Sequence, residues 1–192
     1  MSALDDAPQV HADDRETWRA WLEANHATSR GAWLVTWRQR TGRATLDYEA
    51  AVEEALCFGW VDSTGGSFDG DRGRLYFAPR KPRSVWAASN KARVERLVAE
   101  GRMAPAGLAA VERARANGAW DVLDSVERLV VPDDLAAALE MRPPAAANFA
   151  AFTPSARKML LGWIAVARRP ETRARRVAEV AEAAARNERA RD

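Results

Sequence analysis

Proline placement constrains this 192-residue chain more than any other feature. Pro105, Pro132, Pro154 and Pro170 each precede a stretch with apolar residues at helical spacing, and Pro143-Pro144 divides two such stretches. Proline lacks an N–H and holds φ at about −65°, so it suits a first helical turn and interrupts a helix interior or a central strand. The second half therefore reads as a run of short helices. One starts at Pro105 and ends near Asn117-Gly118. Another runs from Pro132 through Met141, and a third covers 145–152. Thr153 caps a fourth, which carries Met159, Leu160, Trp163, Ile164 and Ala167. Pro170 opens the last, with Val177, Val180 and Ala184 inward. Composition agrees: 41 Ala stand against 15 Val and 1 Ile. Alanine is the strongest helix former, and β-branched aliphatics are what a large sheet needs.

The first half has a mixed pattern. Residues 1–12 are polar and acidic and read as a flexible tail. Asp13 and Glu16 have capping-box spacing ahead of a helix with Trp18, Trp21 and Leu22 on one face. In 32–38, Trp33, Val35 and Trp37 alternate with Leu34, Thr36 and Arg38, which predicts a strand. Asp47 or Thr45 can cap the next helix, and Gly59 stands where a left-handed residue would end it. Two short strands, 60–68 and 74–78, flank the Gly- and Asp-rich segment between them. A helix from about Trp86 to Glu100 ends at Gly101. The expected fold is α+β: a small, about three-stranded antiparallel sheet with helices over 13–102, then a helical region over 103–192, sharing one core.

Several classes are excluded. One cysteine, Cys57, rules out a disulfide framework within the chain and suits a reducing compartment. His11 and His26 are the two histidines, so zinc spacing is missing, and no metal or cofactor is expected. The N-terminus has no apolar signal region, and no apolar run reaches the ~18 residues of a membrane helix. A soluble, cytoplasmic protein is expected, without membrane insertion.

The net charge of +2 conceals segregation. Residues 44–71 hold seven acids and no base, while 72–102 hold nine bases and two acids. The two blocks neutralise each other if they pack together. Glu53 and Glu54 are adjacent on a helix and point apart, so they read as solvated charges. Residues 168–176 hold five arginines with no aromatic among them; nucleic-acid phosphates are one possible partner, and pairing within the helical region is the other.

The densest polar-aromatic stretch runs from Cys57 to Asp62 and resumes from Phe77 to Trp86. Trp60 and Asp62 share a strand face. Arg80, Lys81 and Arg83 lie about Pro79 and Pro82, which restrict the connecting backbone. The expected ligand-binding set is Trp60, Asp62, Arg80, Lys81, Arg83, Ser84, Trp86 and Asn90. The cations would receive an anionic group, the indoles would stack, and Ser84 and Asn90 would add neutral hydrogen bonds. The competing expectation is core tryptophans with Asp62 in a structural ion pair. Cys57, near a helix C-terminus, reads as a structural thiol.

These motifs occur in an order that resembles a known family. Trp18-x-x-Trp21-Leu22, Phe58-Gly59-Trp60-Val61-Asp62, Pro79-Arg80-Lys81-Pro82-x-Ser84-x-Trp86, Pro105-Ala106-Gly107-Leu108, Pro132-x-Asp134-Leu135 and Glu171-Thr172-Arg173 together resemble the YdeI/OmpD-associated family, also described as bacteriocin-protection proteins. The resemblance spans about residues 13–185. It implies tolerance of bacteriocins or antimicrobial peptides and association with an outer-membrane porin; it carries no catalytic residue, reaction or cofactor. The expected function is non-enzymatic stress protection or binding, with an anionic small molecule or protein as partner. The alternatives are an enzyme using Asp62 as base and a nucleic-acid binder using the arginine-rich segments.

Overall fold

The computed structural model describes residue 4 and residues 6–191. The chain forms two compact units: residues 1–84 with 89–117, and residues 85–88 with 118–192.

In the first unit, β1 (Gln9–His11) precedes α1 (Arg15–Asn25), and β2 (Ala32–Trp37) follows it. Then come α2 (Tyr48–Cys57), β3 (Trp60–Ser67), β4 (Arg72–Pro79), α3 (Ala88–Ala99) and α4 (Pro105–Ala116). The sheet is mixed and four-stranded, in the order β1-β2-β4-β3, with β1 parallel to β2 and the other pairs antiparallel. The extra strand corrects the three-stranded expectation. Gln9–His11 fall in the stretch read as tail, and they pair with Trp33, Leu34 and Val35. Three residues are too few to show strand periodicity, and their pairing depends on a partner distant in sequence.

Alternation decides which residues the helices cover. Ala32 and Leu34 of β2 stand opposite Phe77 and Leu75 of β4, all on one face. Trp18 of α1 packs on Phe77 at 5.3 Å, and its indole N–H donates to the Ala51 carbonyl of α2 at 3.1 Å. Trp21 stacks on Trp18 and meets Trp60 of β3 edge-on. Asp14, one residue later than expected, caps α1 by accepting from Thr17 N–H at 2.8 Å. Asp47 caps α2 in the same way through Ala50. Gly59 has φ +75, so the left-handed end of α2 is as the sequence predicted.

The second unit is helical. It holds α5 (Asp124–Glu127), α6 (Asp133–Glu140), α7 (Ala145–Ala151), α8 (Pro154–Ala165) and α9 (Pro170–Ala185). Pro154 and Pro170 open their helices, Thr153 caps α8, and Pro132 stands at the cap position of α6. Leu135, Phe149, Leu160, Ile164, Val180 and Ala184 form the centre of its core. The short α5 had no proline or periodic signal to reveal it.

Candidate functional site

The residues expected to bind a ligand occupy different environments. Asp62 on β3 stands opposite Phe77, on the helix-facing side of an edge strand. Its Oδ2 accepts the Tyr48 hydroxyl at 2.9 Å. Arg80 follows β4, and its backbone N–H donates to the Gly59 carbonyl at 2.9 Å. The Arg80 side chain is buried, and desolvation pushes its pKa down to about 10, with the Asp62 charge opposing the shift. Lys81 and Arg83 are exposed, while Ser84 and Asn90 are half-buried. The turn that carries them is anchored. Ser84 N–H donates to the Lys81 carbonyl at 2.9 Å, and the Asn117 amide donates to the Pro82 carbonyl at 2.7 Å. Asn90 accepts from Arg93 at 3.0 Å.

The tryptophans differ from the stacking expectation. Trp60 is 1% exposed and Trp86 is 2% exposed. Trp60 belongs to the first unit, among the α1 indoles; Trp86 belongs to the second, where it packs on Trp120 at 5.0 Å. Burial of large aromatic surface outweighs its use as an open platform here. The structure therefore groups Asp62, Arg80 and Tyr48, with Lys81 and Arg83 on the adjoining turn. Tyr48 was not in the expected set; it lies fourteen residues before Asp62, at the start of a helix, and no local pattern links the two.

The carboxylates read as solvated are the largest correction. Glu53 and Glu54 are 3% and 1% exposed. Every residue of Ala50–Cys57 is buried, so α2 has no free face for a charge. Arg15 Nη1 donates to both, at 2.7 Å to Glu53 and 3.1 Å to Glu54. Arg19 donates to Glu54 at 2.8 Å, Arg96 pairs with Glu53, and Arg102 pairs with Glu54. Burial raises the Glu53 pKa, but the pairs with Arg96 and Arg15 more than offset it, and it ends below the usual value. The acidic and basic blocks do neutralise each other: Glu49 accepts from Arg93 at 2.6 and 2.7 Å, and Asp69 from Arg72 at 2.6 and 2.8 Å. This network clamps α1, α2, α3 and the loop before α4; its charges are spent internally. Cys57 beside it is fully buried, and desolvation pushes its thiol pKa up, with the Glu54 charge adding to the rise.

Three of the five arginines of 168–176 are engaged within their unit. Arg173 forks onto Asp134 at 2.7 and 2.9 Å, Arg175 pairs with Glu179, and Arg176 bonds the Trp163 carbonyl. Among the described residues, no helix is long and apolar enough to cross a membrane, and no cluster of three or more His, Cys, Asp or Glu is arranged to hold a metal.

Residues 10–110 match a family described as a domain of unknown function, DUF8412. Residues 128–187 match the family described as bacteriocin-protection, YdeI or OmpD-associated. The resemblance read over 13–185 is thus supported on the C-terminal part, and the FGW-x-D and PRKP segments fall within the other family. No curated protein and no solved structure matches the chain.

Proposed function

We propose a function for a chain that belongs to the DUF8412 family and carries a YdeI/OmpD-associated segment: a soluble, cytoplasmic stress-protection protein that binds an anionic ligand or an anionic segment of a partner. The observation that carries this reading is the placement of Arg80, a buried cation beside Asp62, on an anchored turn that presents Lys81 and Arg83 to solvent. Fixed backbone around the turn reduces the entropy lost when an anion is gripped. Ser84 on the same turn supplies a hydroxyl, and Trp60, packed on Trp21, holds the start of the strand against α1.

The Tyr48–Asp62 bond favours binding over catalysis. The hydroxyl occupies Oδ2 of the carboxylate and ties Asp62 into a positioning role. Asp62 in this role orients Tyr48 and Arg80 and excludes anions that lack a donor to match it.

A thermal-shift and calorimetric titration tests the reading, with orthophosphate, pyrophosphate and citrate as probes. At a hundredfold excess over Kd, a ligand that binds the folded chain alone stabilises it by about 2.7 kcal/mol. Wild type is expected to gain this stabilisation with at least one probe, and Lys81→Gln/Arg83→Gln to lose it. Absence of a shift with all three, together with unchanged survival of expressing cells under an antimicrobial peptide, overturns the proposal.

A further inference from the structure

The sheet face turned away from α1 carries a second basic cluster. Strand register sets Trp33 opposite Tyr76, Val35 opposite Arg74, and Trp37 opposite Arg72, so these side chains share that face. The Arg74 guanidinium lies 4.3 Å over the Trp33 ring, and the Arg43 guanidinium lies 4.1 Å over Trp37. Arg72 reaches between Trp37 and Phe68, at 5.3 and 4.6 Å from their ring centres. Arg38 and Arg40 follow β2 at the same end; Arg38 donates to Ser67 at 2.9 Å.

Five guanidiniums here face two carboxylates. Asp69 is taken by Arg72 at 2.6 Å and Asp71 by Arg40 at 3.4 Å. Among the described residues, the side chains of Arg43 and Arg74 have no ion pair and no hydrogen bond; each has only its indole. Stacking on a ring fixes the guanidinium plane while leaving N–H edges for phosphate oxygens, and it does not neutralise the charge. Arg72 is already forked onto Asp69, so Arg43 and Arg74 are the two guanidiniums left for phosphates. The floor beside them is low. Gly66 is the β3 partner of Arg74, and a Cβ there would meet no atom within 4 Å. Trp37 and Phe68 are half-buried, so their rings are partly accessible.

We infer that this face binds single-stranded nucleic acid, with Arg43 and Arg74 on the phosphates and bases stacking on guanidinium planes and on the Trp37 and Phe68 rings. Trp33, Val35 and Tyr76 are buried on this face, so the accessible rings are those of Trp37 and Phe68 at one end; these suit splayed bases, and a duplex would leave them without a partner. The site is distinct from the Asp62–Arg80 turn, and either can fail without the other.

Fluorescence anisotropy tests it with labelled oligo(dT), oligo(U) and a duplex of equal length, at low and raised salt. Wild type is expected to bind the single strands, more weakly as salt rises. Arg43→Gln/Arg74→Gln is expected to weaken binding at least tenfold, and Lys81→Gln/Arg83→Gln to leave it unchanged. Arg43 is exposed, so Arg43→Gln alone keeps the test readable if the double variant loses stability by circular dichroism. Failure to bind at low salt, equal affinity for the duplex, or wild-type affinity in the folded Arg43 and Arg74 variants overturns the inference.

Discussion

Gly107 of α4 lies so close to the Cys57 carbonyl, at the end of α2, that a Cβ on Gly107 would stand 2.2 Å from that oxygen. The same carbonyl accepts the Ala104 N–H at 3.0 Å, which satisfies one of the acceptors a helix leaves open at its end. Gly59, left-handed just beyond, would bring a Cβ within 3.1 Å of the Ala106 carbonyl. The end of α2, the turn into β3 and the start of α4 are thus fitted backbone to backbone. This fit sets the position of β3, and with it Asp62.

Gly107→Ala is expected to cost about 1–3 kcal/mol, because the obstructing atoms are backbone and the site must shift to admit a methyl group. Gly66→Ala, where a Cβ meets open space, is the control and should stay within about 0.5 kcal/mol. Urea denaturation of the three proteins checks both values.

Glu54→Gln removes one charge from the most buried part of the ion-pair network. Arg15, Arg19 and Arg102 all reach Glu54, and their side chains are about one-third exposed, so water partly compensates them. Breaking a fully buried pair costs about 3–5 kcal/mol; partial solvation of these arginines brings the expected loss to about 2–4 kcal/mol. Equilibrium unfolding near neutral pH measures it. A loss below about 0.5 kcal/mol would place Glu54 among ordinary surface charges.

Acid should find this network and, in the second unit, the Asp134–Arg173 pair. Glu53 has its pKa held below the usual value in the folded chain, and so have Glu49, Asp69 and Asp134 beside their arginines. For a depressed carboxylate, the stabilisation is complete above the unfolded pKa, about 4, and is lost as pH falls through the folded one. The urea midpoint should therefore stay level down to about pH 5 and drop below it. Glu53→Gln should lower the plateau and flatten the drop. An acid limb identical to that of wild type would remove Glu53 as a contributor.

Cys57 offers a direct readout of the α2 environment. Its sulfur is buried, and its thiol pKa is raised by desolvation and by the Glu54 charge, so the reactive thiolate is scarce and shielded. A thiol-reactive disulfide reagent is expected to label the denatured chain fully and the native chain slowly, at the rate of opening. Rapid stoichiometric labelling of the native protein would contradict the packing around α2.

The parts of this structure legible in the sequence are those written in local chemistry. Prolines 105, 154 and 170 open their helices, Thr153 and Asp47 cap theirs, and Gly59 and Gly101 are left-handed where the chain changes course. What stayed hidden depends on partners far along the chain. β1 exists through β2, some twenty residues away, and Glu53 and Glu54 are buried by arginines of α1, α3 and the loop before α4. Their context held a clue: two acids inside the apolar run Ala50–Cys57, in a block with no base, need counter-ions from elsewhere. Trp60 and Trp86 met the competing expectation of core packing and not the stacking one, a choice that also depends on distant partners. A strand face predicts which side Trp60 takes, not that Trp21 will cover it.

The Tyr48–Asp62 pair gives the anion-binding proposal a spectroscopic handle. Tyr48 is an exposed residue whose phenol is partly desolvated; that desolvation is the largest cause of its raised pKa, and the hydrogen bond and charge of Asp62 add to it. The chain has two tyrosines, Tyr48 and Tyr76, so ring-carbon NMR of tyrosine-labelled protein should follow each one separately through an alkaline titration. Wild-type Tyr48 is expected to ionise above the ordinary value of about 10. Asp62→Asn should lower that value without returning it fully, since the partial desolvation remains. An anion gripped by Arg80, Lys81 and Arg83 adds negative charge near the phenol and should raise the value again in both proteins. A Tyr48 titration that ignores both Asp62→Asn and the probe anion would separate this tyrosine from the site.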